Sequence, residues 1–125
     1  MAKFANPGEM RTAVIIEAYT SAVSSNGYPI ETWENIFGEG ATVRAKWVNV
    51  HGTEVFEAMG LDLREPATLT MRFSPLISRE CRILKAEDAE KEDRESLYYE
   101  VISINDIEER HTQLEIKVQR KRNAK

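Results

Sequence analysis

A strict alternation of apolar and polar residues limits the fold of this chain more than any other feature. In residues 67–73, ATLTMRF, the side chains of Ala67, Leu69, Met71 and Phe73 fall on one side and those of Thr68, Thr70 and Arg72 on the other. A period of two belongs to a β-strand, so this segment predicts one buried face and one wet face. Pro75 closes it. The rhythm recurs in TVRAKWVNV, where Val43, Ala45 and Trp47 oppose Arg44 and Lys46, and again in ECRIL, LYYEVISIN and TQLEIKVQ. Residues 11–20, RTAVIIEAYT, are rich in β-branched side chains. Asn26-Gly27 then suits a tight turn, since both residues tolerate positive φ, and Pro29 leads into another extended segment, residues 30–37. One segment reads as a helix. In HGTEVFEAMGLD, Thr53 is the N-cap, Glu54 complements the helix dipole, Val55 and Met59 share a face, and Gly60 ends it. Two turns cannot stand alone, so this helix must pack on something. The expected fold is all-β, a small antiparallel β-barrel or sandwich of about six strands with one short helix and long loops.

With 125 residues the chain is one domain, residues 1–125. Its net charge of −4 argues against a protein that grips nucleic acid with its whole surface. No apolar stretch is long enough for a membrane span, and MAKFANPGEM has no apolar core of a signal peptide. The single cysteine, Cys81, cannot form an internal disulfide, which points to a reducing compartment.

Enzyme chemistry finds little support. His51 and His111 lie in different segments, and no His or Cys spacing suits a metal. Gly38-Glu39-Gly40 lacks the lysine and hydroxyl residue of a phosphate loop. Cys81 alternates with Ile83, as a small buried hydrophobe would, rather than as a nucleophile partnered by His111. No catalytic residue, cofactor or metal is therefore expected. Trp47 shares its parity with Val43 and Ala45 and belongs to the core, whereas Trp33, just past a turn, suits an edge strand or a subunit interface.

Two charge runs interrupt the alternation. Residues 85–96, KAEDAEKEDRES, carry six carboxylates and three basic groups and are expected to form a solvated loop. Residues 117–125, KVQRKRNAK, carry five basic groups and no acid, and 120–125 read as a basic, flexible tail.

The order of these motifs resembles the head–tail joining (head-closure, or stopper) proteins of long-tailed phages and prophages. NPGEMRTAVII is similar to the family's opening Asn-Pro-Gly and first strand, and NGYPIETWENIF to its Thr-Trp segment. TVRAKWVNVHGTEVFEA resembles its Ala-x-Val strand, Gly-x-Glu turn and helix start. ATLTMRF resembles its Thr-rich strand, and LYYEVISINDIEERHTQLEIKV its closing strands, so the likeness runs over residues 6–119. Two departures stand out: Val50-His51-Gly52-Thr53 replaces the usual Pro-Leu-Ser-Gly, and the run 85–96 is longer than the family's brief turn.

The resemblance implies a non-enzymatic virion protein at the head–tail connector, assembled in the host cytoplasm. It would form a ring with copies of itself, of about twelve subunits, that closes the DNA-filled capsid. The portal or adaptor would lie on the head side and a tail-completion or tail protein on the other, with transient contact to packaged DNA and none to membrane. In such a ring Val55, Phe56, Met59 and Trp33 are the candidate interface residues. Glu87, Asp88, Glu90, Glu92, Asp93 and Glu95 would form an acidic collar if their loop faces the lumen. The alternatives are a tail-completion or tail-terminator ring, and a DNA-binding module using the basic C-terminus.

Overall fold

The computed structural model describes residues 4–23, 25–49 and 65–121. Seven strands are formed: β1 (Thr12–Val23), β2 (Pro29–Asn35), β3 (Val43–Asn49), β4 (Ala67–Arg72), β5 (Arg82–Lys85), β6 (Tyr99–Asp106) and β7 (Gln113–Arg120). All pairings are antiparallel, in the order β2-β1-β3-β4-β7-β6-β5, and β5 returns to pair with β1. Six strands thus close into a barrel and β2 lies outside it. The expected all-β class is observed. The only helical turns among the described residues are short 3₁₀ turns such as Ala86–Asp88 and Arg94–Ser96. The helix expected around Val55, Phe56 and Met59 lies outside the described residues.

β1 organises the closure. Its Thr12–Val14 end pairs with β3, its Val14–Glu17 stretch with β5, and its Glu17–Val23 stretch with β2. Glu17 has a partner on each side, Asn35 and Arg82, so β2 and β5 lie on opposite edges of β1. Beyond Glu17 the ladder is therefore a two-stranded ribbon that leaves the barrel wall.

The alternation read from sequence places the core. Val14, Ile16, Ala45, Leu69, Met71, Ile83, Val101, Leu114, Ile116 and Val118 point inward and are buried. Trp47 packs against them, with its ring edge-on to Tyr99 at 4.8 Å between centroids. Cys81 is buried, as its parity with Ile83 suggested. The register of β6 slips between Val101 and Ser103, so Ile104 rather than Ser103 returns to the inner face opposite Ile116. Without that bulge the LYYEVISIN pattern would bring Ser103 to the inner face.

Two expectations for β4 need correction. Thr70, expected on a wet face, is buried, because Lys46 and Glu115 flank it and their longer side chains shade a short threonine. Phe73 lies one residue past the strand and is only half-buried, with its ring 4.7 Å from that of His111. The N-terminal segment is tied down by Gln113, whose side-chain amide accepts from the Ala5 N–H at 2.7 Å and donates to the Ala5 carbonyl at 2.8 Å. That side chain acts as a short extra rung of ladder.

Candidate functional site

Residues 85–96 were expected to be a solvated loop; most of them are exposed, but Asp88 is buried and Arg94 is drawn inward. Between β5 and β6 they form two 3₁₀ turns, the first of which packs against β1. Asp88 is buried and pairs with Lys91 at 2.7 Å, which raises the lysine pKa through that hydrogen bond. Arg94 folds back toward β1 instead of entering water. The physical reason is Glu17. It stands on the outward side of β1 and is nonetheless buried, so its charge needs cations close by.

Those cations are Arg82 and Arg94. Arg82 donates from Nε to Glu17 Oε1 at 2.8 Å, and Arg94 from Nη2 to Glu17 Oε2 at 3.3 Å. Arg82 also reaches the exposed Glu95 at 3.4 Å. Its guanidinium lies 4.3 Å from the centroid of the Trp33 ring and 3.7 Å from that of Tyr98. A planar, weakly hydrated cation is well suited to such contacts, and a lysine would not replace it. Arg94 Nε donates to Tyr98 Oη at 3.0 Å, and this bond holds the Arg94 pKa above its ordinary value. Burial pushes the Tyr98 phenol up. Lys121, just past β7, places Nζ 4.3 Å from the Trp33 centroid; burial, then the nearby Arg82, lowers its pKa.

The sequence singled out Trp33 as an interface residue; here it is half-buried, edge-on to Tyr19 at 5.3 Å and in contact with two cations. Of the six acids named for a collar, Asp88 is buried within the subunit, which removes it from any surface ring of charge. Glu87, Glu90, Glu92, Asp93 and Glu95 are exposed. Val55, Phe56 and Met59 lie outside the described residues. Sequence reasoning missed Glu17, Arg82, Arg94 and Tyr98. The available signal was a carboxylate in the otherwise apolar run AVIIEA and an arginine in CRIL, charges that a strand tolerates only when they are matched.

Beside this cluster a cleft of about 730 Å³ opens between β2, the turn 36–42 and the strap 86–94. Ile15, Trp33, Ala86 and Ala89 supply apolar lining, while Glu34, Glu39 and Glu90 supply carboxylates. No group of three or more His, Cys, Asp or Glu among the described residues could hold a metal. Among the described residues no helix is long and apolar enough to cross a membrane.

What the barrel belongs to is decided by comparison. A family model for phage head completion proteins matches residues 5–121. The chain belongs to that family. As a phage head completion protein it is a structural protein of the virion. Among solved structures it is similar to protein SF1141 from Shigella flexneri 2a, with a TM-score of 0.67, 21% identity, and coverage of 93% of this chain and 96% of that one. It is also similar to a chain of the virion of a native gene transfer agent particle, with a TM-score of 0.50, 12% identity, and coverage of 91% and 98%. At these identities the likeness is one of fold. No curated protein sequence matches this head completion protein.

Proposed function

We propose that this protein assembles into a ring at the head–tail interface, where it closes the DNA-filled capsid and joins the portal or adaptor to the tail, without enzymatic activity. The match to the head completion family over residues 5–121 carries this reading. A closed barrel supports it. With six strands joined edge to edge, the body is rigid and its loops and outer strand remain for neighbours. The ring contains about twelve copies, formed through a head-to-tail interface that closes on itself. Assembly takes place in the host cytoplasm, and packaged DNA touches the ring in passing.

The mild net acidity suits that contact, because a basic lumen would hold the phosphate backbone by counterion release. In this reading the exposed Glu87, Glu90, Glu92, Asp93 and Glu95 repeat around the ring and repel DNA. Val55, Phe56, Met59 and Trp33 contribute to the contact between subunits or with the next protein.

The test mixes the purified protein with DNA-filled capsids that lack it. Electron microscopy should show an added ring at the portal vertex, and the capsids should retain their DNA. Capsids that remain open while isolated tails acquire the protein would move it to the tail-completion or tail-terminator class.

A further inference from the structure

The cleft beside Trp33 is not used by the closure of the barrel. It is lined by the apolar Ile15, Trp33, Ala86 and Ala89 together with Glu34, Glu39 and Glu90. All three glutamates are exposed, and among the described residues none of them is in an ion pair. Glu17, the fourth carboxylate of the cleft, is already satisfied by Arg82 and Arg94. The cleft therefore offers apolar contact together with three carboxylates that pair with no cation among the described residues.

The chain carries one run of matching character. Residues 117–125 hold five basic groups and no acid. Arg120 is engaged by its own barrel, with Nε on Glu65 at 3.1 Å and Nη1 on the Leu97 carbonyl at 2.6 Å. Lys121 rests on its own Trp33. Arg122 and Lys125 follow in sequence.

We propose that the cleft of one copy receives the basic run of a second copy, so that Arg122 and Lys125 of the neighbour meet Glu34, Glu39 and Glu90. The inference rests on the ring reading. A ring needs two different surfaces on each subunit that fit one another, and an acidic cleft with a basic extension is such a pair. Contacts of this kind are rim-like and screened, so each is weak alone and gains from repetition around a closed ring.

The test uses a synthetic peptide of residues 119–125, titrated by NMR into the full chain and into a variant ending at Lys121. Saturable shifts at the Trp33 indole and the Glu39 and Glu90 amides are expected, with similar affinity for both proteins. Binding should weaken at least tenfold in Glu34→Gln/Glu39→Gln/Glu90→Gln and on raising salt. No saturable shift, or binding indifferent to the three substitutions, overturns the proposal. So does binding that appears only once residues 122–125 are removed, because the run then occupies its own subunit's cleft. Capsid closure is read separately, so rings that form without peptide binding would sink this contact and leave the ring reading standing.

Discussion

At the scale of single residues, the buried Glu17 is the most demanding group among those described. Glu17→Gln keeps the shape and removes the charge, leaving Arg82 buried without its main partner. The expected loss is about 3 kcal/mol, measured by urea denaturation. Glu95→Gln breaks an interaction of the same Arg82 on the exposed side, where the Glu95 side chain is 78% exposed, and should cost less than about 1 kcal/mol. Equal losses would show that Glu17 is not the anchor. The two buried tyrosines give a pH dependence. Burial raises the pKa of both Tyr98 and Tyr99 above 10.0 in the folded state. Their contribution is fully present below that value and is lost as pH rises through the higher folded pKa values. The melting temperature should therefore fall above about pH 10, and less so in Tyr98→Phe. This cluster was not legible in the sequence because Glu17, Arg82, Arg94 and Tyr98 come from three distant segments. Only the register of β1 against β5 brings the first two opposite one another.

At the scale of elements, alternation was legible wherever a strand has one face on the core. Its limits appear at β4. Leu69, in the middle of the strand and fully buried, should lose about 3 kcal/mol on change to Ala. Phe73→Ala should lose less than the ~3–5 kcal/mol of a fully buried phenylalanine, because the strand ends at Arg72. Thermal denaturation of the pair checks the order. Composition was right that most of residues 85–96 face water but did not show the inward turn of Asp88 and Arg94, since a polar run reads as solvent-facing unless a buried opposite charge awaits it. Replacing residues 86–96 with a Gly-Ser turn should therefore lower stability, by uncovering Glu17 and Arg82, and not merely remove surface charge. A sound test of the acidic collar leaves the strap in place. Glu87→Gln, Glu92→Gln and Asp93→Asn, which leave the cleft's Glu90 in place, should together preserve the melting temperature, while particles carrying them retain or eject DNA abnormally. Normal retention and ejection would take these acids out of the mechanism.

At the scale of the whole molecule, the fold class and family were legible because the order of motifs spans the chain, as was the turn joining β1 and β2, whereas the place of that ribbon outside the barrel was not. That ribbon has partners on fewer sides than the barrel strands, and a two-stranded ladder is marginal in water. Purified protein should sediment as monomer at micromolar concentration, and amide exchange should be faster in residues 18–34 than in β4 and β7. Stable rings in dilute solution would show that no neighbouring protein is needed as a template. The three-way pairing of β1 also has a consequence for synthesis. β1 leaves the ribosome first, yet the strand that seals its Val14–Glu17 edge, β5, begins only at Arg82. Through that interval the nascent chain carries an apolar strand edge open to other chains, the kind of surface that attracts chaperones or aggregates. Folding that waits on such a distant partner is slow, on the order of milliseconds to seconds. In a cell making many copies at once, the yield of particles would depend on how long that first strand waits for its seal.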